Sequence, residues 1–205
     1  MLKYFVLSVF STILTALSCI KPGQDAGTDQ SILFIGNSLT YTHDLPKVVE
    51  TIGRENGRII HTEMVAYPNY ALEDHWNDGK IQKLIQENKY DFVVIQQGPS
   101  SQSDGRTMLL DFGLRIKNLC DKHNARLAFF MVWPAYANVH TFDGVVKNYT
   151  DAAVATNSIL CPVGKVWQKY FLETGDLTYY GPDMFHPSKK GTEVAAKIIF
   201  EILIN

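Results

Sequence analysis

The sequence predicts an α/β fold, a three-layer α/β/α sandwich around a mainly parallel sheet of about five strands. Short apolar runs without in–out alternation recur along the chain, and such runs are typical of parallel strands that are covered on both faces. Segments with helical spacing lie between these runs, as in other α/β domains. The chain has 205 residues and is 46% hydrophobic, which suits one domain with a sizeable core.

Five apolar segments account for the predicted sheet. Most are rich in Val, Ile, Leu or Phe, as buried strands are. In chain order they are residues 31–35, 59–65, 92–95, 127–132 and 159–163. Ligands of such sheets bind outside the carboxyl ends of the strands. We therefore expect one edge to gather the side chains that follow the strands, namely Ser38, Gln96, Gln97 and Trp133.

Helical segments alternate with these strands. The first begins after Asp44, with Pro46 in its first turn, as helix starts often do. A short segment from Glu73 to Trp76 also begins a helix, so its acids are interpreted as partners of the helix dipole. The other predicted helices have apolar residues at three- and four-residue spacing. Apart from that short segment, the predicted helices are 45–55, 80–88, 108–120, a part of 144–156, and 191–203.

Composition excludes several classes of function. The formal net charge is −2 and no basic block stands out, so nucleic acid is not an expected partner. No spacing of cysteine and histidine indicates a zinc site, and we expect neither a metal nor a cofactor. The sequence leaves the oligomeric state open.

Residues 1–19 are predicted to be a signal peptide, because the apolar stretch after Lys3 is too short to span a bilayer comfortably. Residues 16–19 resemble a bacterial lipoprotein cleavage box, with Cys19 as the acylated first residue. Ordinary secretion is the alternative. Residues 20–30 are interpreted as a polar linker and 31–205 as the folded domain. We expect an exported protein of the bacterial periplasm or cell surface, attached to the membrane only through the lipid.

Two further cysteines, Cys120 and Cys161, fall at a helix end and late in a strand. In an α/β layer fold these positions lie at opposite ends of the sheet. An exported protein could bridge them, but we expect two buried free thiols.

Three residues provide the parts of a nucleophilic hydrolase. Ser38 follows Gly36-Asn37 at a strand end, where glycine permits a tight turn. His186 precedes Pro187 in an extended loop, and Asp183 lies three residues upstream, within reach of the imidazole. A serine, a histidine that takes its proton and a carboxylate that orients the histidine support catalysis through an acyl-serine. Alone, each motif also fits an ordinary turn or helix cap.

With these motifs the chain resembles the SGNH, or GDSL-type, hydrolase superfamily from residue 32 to about 196. Residues 34–39 are similar to its first block, with Asn37 where many members carry aspartate, and residues 183–187 to its last block. A bacterial subgroup with Gly-Asn-Ser in the first block is the nearest match. The resemblance implies a flavodoxin-like fold, a serine esterase that hydrolyses carboxylic esters, and Ser38, His186 and Asp183 as the catalytic residues.

The resemblance also implies an oxyanion hole, but the middle blocks depart from the superfamily pattern. Residues 66–72 lack the expected glycine, and Asn69 is the best match because asparagine tolerates left-handed backbone. Gly98-Pro99-Ser100 stands where Gly-x-Asn is usual. We therefore assign the hole to the Ser38 N–H, Asn69 and Gln97, with Gln96 as the fallback.

The expected substrate is a small-molecule or carbohydrate ester, and the predicted activity is that of a carbohydrate O-acetylesterase. Two alternatives stay open: a lysophospholipase or thioesterase, and a non-catalytic carbohydrate-binding lipoprotein with a degraded oxyanion hole. His43 is interpreted as a residue of the site rim. Four aromatic residues are candidates for stacking on a sugar, although such residues more often pack in the core or rim. They are Tyr67, Tyr70, Trp76 and Trp133.

Overall fold

A computed structural model describes residues 29–204 of the chain. The strands are β1 (Gln30–Gly36), β2 (Ile60–Ala66), β3 (Phe92–Ile95), β4 (Arg126–Phe130) and β5 (Ile159–Cys161). They form one sheet in the order β2-β1-β3-β4-β5, and every neighbouring pair is parallel. The predicted signal peptide with Cys19 and nearly all of the predicted linker lie outside the described residues and stay predictions.

Helices cover both faces of this sheet. They are α1 (Ser38–Tyr41), α2 (Leu45–Glu55), α3 (Leu72–Asp78), α4 (Lys80–Glu87), α5 (Ser103–Lys122), α6 (Phe142–Ala155), α7 (Val163–Thr174) and α8 (Lys189–Leu203). Helix α2 packs against α8, whereas α5 packs against α3 and α6. Right-handed crossovers that run in opposite directions along a sheet lie on opposite faces, so these two groups form separate layers. The predicted three-layer α/β/α fold is confirmed. Within residues 29–204, no helix is both long enough and apolar enough to span a bilayer.

The strand order fixes where a ligand can bind. The chain passes from β1 outward to β2, and then from β3 outward through β4 to β5. The loops after β1 and β3 therefore diverge to opposite faces and leave a crevice at the carboxyl ends of the strands. Ser38 follows β1 and Gln97 follows β3, so both lie at this crevice.

Two helices, the short α1 and the longer α7, were not predicted from the sequence. Residues 159–163 were predicted as a strand, but β5 ends at Cys161 and Val163 already begins α7. Gly164 explains this tight passage from strand to helix. Its N–H donates to the Met131 carbonyl at 3.0 Å, and a Cβ at this position would lie 2.0 Å from the carbonyl oxygen of Val132. Only glycine lets α7 begin so close to the end of β4.

Cys120 lies in α5 and Cys161 in β5, and both thiols are buried and free. Burial raises the pKa of each thiol to about 12. Thiols with such pKa values carry little thiolate and react slowly. The prediction of two buried free thiols is confirmed.

The close approach at Gly164 leads to a stability prediction. Gly164→Ala should lower the free energy of unfolding by about 1–3 kcal/mol, because the added methyl group overlaps the Val132 carbonyl oxygen. Urea denaturation of the purified protein measures the change. Gly98→Ala is the matched control, since a Cβ at Gly98 meets no atom within 4 Å. Equal unfolding free energies for the two variants would contradict this account.

Candidate active site

Ser38 is placed by the turn that joins β1 to α1. Asn37 caps α1, and its side-chain Oδ1 accepts a hydrogen bond from the Leu39 N–H at 3.2 Å. A Cβ on Gly36 would lie 2.4 Å from Thr40 Oγ1 and 2.5 Å from Gln96 Oε1. The turn therefore needs glycine before Asn37, and it leaves the Ser38 hydroxyl projecting at the edge of the sheet.

The structure brings Ser38, His186 and Asp183 into one line of hydrogen bonds. His186 Nε2 lies 2.8 Å from Ser38 Oγ, and His186 Nδ1 lies 2.5 Å from Asp183 Oδ2. The other carboxylate oxygen of Asp183 accepts the backbone N–H groups of Phe185 and His186, at 3.0 and 2.9 Å. The hydrogen bond from His186 lowers the pKa of Asp183, and the two backbone N–H groups lower it further. An ionised Asp183 favours the tautomer with the proton on Nδ1, which leaves Nε2 free to accept the serine proton.

The loop that carries His186 is held from β4. The indole N–H of Trp133 donates to the Phe185 carbonyl at 3.0 Å, and the Tyr136 N–H donates to the Met184 carbonyl at 2.9 Å. Trp133 itself is fully buried and stacks on Trp167, with ring centroids 3.4 Å apart. The assignment of Trp133 as a sugar-stacking residue is therefore wrong: its ring faces are covered, and its indole N–H positions the histidine loop.

Asn69 adopts the left-handed conformation that its type permits, with φ of 61°. It lines the same cavity as Ser38. Within residues 29–204, neither its backbone N–H nor its side-chain amide has a hydrogen-bond partner. Asn37 accepts hydrogen bonds from the next three N–H groups after Ser38. The backbone N–H of Ser38 itself has no partner among these residues. Both backbone groups are therefore free to donate to a developing oxyanion.

Gln97 does not suit the donor role assigned to it. Its side-chain nitrogen already donates to Ser100 Oγ at 2.7 Å and to the Gly105 carbonyl at 3.1 Å. Its side-chain oxygen accepts the Leu72 N–H at 3.3 Å, so the orientation of the amide is fixed from both ends. An oxyanion would have to displace one of these bonds.

The fallback, Gln96, is also engaged in holding the nucleophile turn. Its side-chain oxygen accepts the Asn37 N–H at 2.9 Å and the Thr40 hydroxyl at 2.8 Å. Its side-chain nitrogen donates to Asn37 Oδ1 at 3.1 Å. Because the residue is buried, these bonds form in a low dielectric, where a lost partner is costly.

Two residues behind the site were not assigned from the sequence. The Asn37 side-chain nitrogen donates to the Tyr70 carbonyl at 3.0 Å, which an aspartate could not do. His75 Nε2 lies 2.8 Å from the Gly36 carbonyl oxygen, so Nε2 must carry the proton. Burial lowers the pKa of His75 and keeps it neutral. Helical spacing alone gave no sign of this contact, because it joins residues 39 positions apart.

The remaining candidates are spread around the site. Tyr70 lines the cavity that contains Ser38. Tyr67 instead packs on Tyr70 and His75 and accepts a hydrogen bond from Lys80 at 3.0 Å. Trp76 is half-buried beneath Arg115, outside the cavity lining. His43 lines a groove between α2 and α8 and not the cavity of Ser38.

The cavity beside Ser38 has a volume of about 440 Å³, within the usual range of small-molecule sites. Amides and hydroxyls line one part of it, and Ala71, Pro99, Met108 and Phe185 line another. No Lys, Arg, Asp or Glu of the described residues contributes to this lining. The part of the chain from 29 to 204 also contains no cluster of three or more His, Cys, Asp or Glu side chains suited to a metal ion.

Solved structures with a similar fold include a protein described as an SGNH hydrolase, a lipase/acylhydrolase and an acetylxylan esterase. A protein from Slackia heliotrinireducens assigned to the SGNH hydrolases superposes with a TM-score of 0.73 at 19% identity, over 85% of this chain and 98% of its own. A lipase/acylhydrolase from Enterococcus faecalis gives a TM-score of 0.67 at 17% identity, over 84% and 94% of the two chains.

A catalytic mutant of an acetylxylan esterase from Geobacillus stearothermophilus gives a TM-score of 0.61 at 16% identity, over 87% of this chain and 96% of its own. No family model and no curated protein matches the sequence. At these identities the comparisons confirm the SGNH hydrolase fold expected from the sequence.

The buried, neutral His75 predicts how stability depends on pH. In the unfolded chain this histidine gains a proton near its ordinary pKa of 6.5, whereas the folded protein resists protonation to lower pH. The unfolded state therefore binds more protons below pH 6.5, and acidification lowers the free energy of unfolding. We expect His75 to lower the free energy of unfolding by up to about 1.4 kcal/mol for each pH unit of acidification. This contribution should be absent from His75→Gln.

Urea denaturation of the wild type and of His75→Gln as a function of pH measures this contribution. An NMR titration of the His75 imidazole reports its pKa directly and does not depend on the stability of any variant. A pKa at or above 6.5 would contradict the prediction.

Proposed function

We propose that this protein is a serine esterase that hydrolyses carboxylic esters through an acyl-serine intermediate, with acetylated carbohydrates as its substrates. The observation that carries the proposal is the hydrogen-bonded line from Ser38 Oγ through His186 to Asp183. It stands at the crevice between β1 and β3, next to a cavity of ligand size. The SGNH/GDSL hydrolases, esterases and lipases among the structural neighbours support an enzyme that acts on ester bonds.

The geometry supports a two-step mechanism. His186 Nε2 removes the proton from Ser38 Oγ, which attacks the ester carbonyl carbon. Collapse of the tetrahedral intermediate breaks the bond to the alcohol oxygen, and His186 gives its proton to the departing alcohol. A water then attacks the acyl-serine with His186 again as base, and the acid and the free Ser38 hydroxyl are released. Asp183 stays ionised throughout and holds the imidazolium that forms in each step.

The oxyanion hole in this proposal consists of two backbone N–H groups, those of Ser38 and Asn69. Both residues line the cavity, and neither N–H has a hydrogen-bond partner among residues 29–204. Gln97 contributes indirectly, because it accepts the Leu72 N–H and so fixes the segment that carries Asn69. With Gln97 occupied, the hole has one donor fewer than the superfamily pattern provides, and one donor is typically worth ~100- to 1,000-fold in rate.

Two observations favour a neutral, oxygen-rich ester such as an acetylated sugar. The cavity lining is uncharged, which offers no attraction to a phosphate or carboxylate group. The Asn69 side-chain amide, which has no partner among residues 29–204, would stay unpaired beside a long acyl chain, which makes a lysophospholipase or thioesterase the weaker candidate. One structural neighbour is an acetylxylan esterase, which is consistent with this choice.

The nucleophile is tested by Ser38→Ala. We expect the rate of 4-nitrophenyl acetate hydrolysis to fall at least ~1,000-fold, because Ser38 is the proposed nucleophile that forms the acyl-enzyme. Ser103→Ala, which changes an exposed serine at the start of α5, is the control and should retain the wild-type rate. A fluorophosphonate probe should label the wild type at Ser38 and leave Ser38→Ala unlabelled. Unchanged hydrolysis by Ser38→Ala would remove the basis of the proposal.

A second substitution separates the two donors that Asn69 could offer. Asn69→Gly removes the side-chain amide but keeps the left-handed backbone and its N–H. We expect kcat for 4-nitrophenyl acetate to stay within about threefold of the wild type, because the backbone N–H is the proposed donor. A loss of ~100-fold or more would instead assign the donor role to the side chain.

A further inference from the structure

A second cavity continues from the one that contains Ser38. It has a volume of about 510 Å³, and the two cavities share Pro99, Gln102 and Phe185 in their linings. The first lies among the loops that follow β1, β2 and β3, whereas the second lies between the loops that follow β3 and β4. The two cavities therefore adjoin each other at the carboxyl edge of the sheet, and Phe185 is one of the residues that both contact.

The chemistry of ester cleavage assigns a direction to this pair of cavities. The departing alcohol must take its proton from His186 Nε2, so the alcohol half of the substrate lies on the His186 side of Ser38. Phe185 immediately precedes His186 and lines both cavities. An alcohol group that passes over Phe185 therefore enters the second cavity. The acyl half is left in the first cavity, beside Asn69 and Tyr70.

The lining of the second cavity suits a neutral alcohol with several hydroxyl groups. Its polar members are Ser101, Gln102, Asn138, His140 and Thr141, and among the described residues it includes no Lys, Arg, Asp or Glu. Proline, alanine and phenylalanine supply apolar surface for the C–H face of a ring. Mixed linings of this kind bind through a few directed hydrogen bonds and apolar contact.

Two of the polar residues are exposed and available. The side chains of Asn138 and His140 have no hydrogen-bond partner within residues 29–204. The segment that carries them is nevertheless held in place, because the Tyr136 N–H donates to the Met184 carbonyl and the Thr141 hydroxyl donates to the Asn138 carbonyl at 2.8 Å. The first of these bonds also links the segment to the loop of Asp183 and His186.

We infer that the second cavity binds the alcohol half of the ester, and that Asn138 and His140 recognise the hydroxyl groups of a neutral polyhydroxylated alcohol. This inference rests on the proposed esterase function. It assigns a binding role to two residues that neither touch the nucleophile nor take part in proton transfer.

Two acetate esters with different alcohols test the subsite. The acyl half is the same in ethyl acetate and in monoacetylated xylobiose, so only the alcohol half differs. In the double variant Asn138→Ala/His140→Ala we expect kcat/KM for the xylobiose ester to fall about tenfold, as expected for two lost hydrogen bonds, mainly through KM. The value for ethyl acetate should stay within about twofold. His61→Ala, an exposed histidine on β2, is the control and should change neither value.

Two outcomes would overturn the inference: equal losses for both esters, or no loss for the xylobiose ester. A separate measurement distinguishes this failure from failure of the esterase proposal. Free xylobiose should bind to Ser38→Ala by calorimetry, and binding should weaken about tenfold when the Asn138 and His140 substitutions are added. If Ser38→Ala still hydrolyses both esters, the esterase proposal is refuted. If Ser38→Ala does not bind xylobiose, the proposed subsite is refuted.

Discussion

The position of the Ser38 hydroxyl depends on a buried network of amide hydrogen bonds that joins the loops after three neighbouring strands. The Gln96 side chain, at the end of β3, bonds to both the backbone and the side chain of Asn37 at the end of β1. Asn37 in turn donates to the Tyr70 carbonyl in the loop that follows β2. Because this network is buried, each bond resists exchange with water, and the serine and Asn69 keep a fixed separation.

The histidine is positioned independently of that network, from the opposite side of the crevice. Trp133 at the end of β4 holds the Phe185 carbonyl, and stacking on Trp167 fixes the indole that does so. The nucleophile thus depends on the loops after β1, β2 and β3, whereas the base depends on β4 and the loop before α8. The sheet is the common frame that brings Ser38 and His186, which are 148 positions apart, to within 2.8 Å.

Sequence reasoning placed residues correctly where their position is encoded in a short segment. The strands are continuous apolar runs, and Ser38, Asp183 and His186 lie in compact motifs, so their placement followed from local pattern and from the order of the motifs. It failed where a role depends on distant partners. The Gln97 side chain is hydrogen-bonded to Leu72 and Gly105, and Trp133 is buried against Trp167. Sequence periodicity does not predict such contacts. Helix α7 was missed because its start is hidden in the apolar run of β5.

The departures from the superfamily pattern compensate one another. A loop without glycine must hold Asn69 in a left-handed conformation that costs roughly 1–2 kcal/mol for a non-glycine residue, somewhat less for asparagine. Three bonds on the next residues hold that loop: Tyr70 to Asn37, Ala71 to Asp74 and Leu72 to Gln97. The bond from Asn37 to Tyr70 requires a side-chain amide at a position where many members of the SGNH superfamily carry a carboxylate. Asn37 and Gln97 therefore act on the same segment, and Gln97 fixes the backbone that carries the proposed oxyanion donor, the Asn69 N–H.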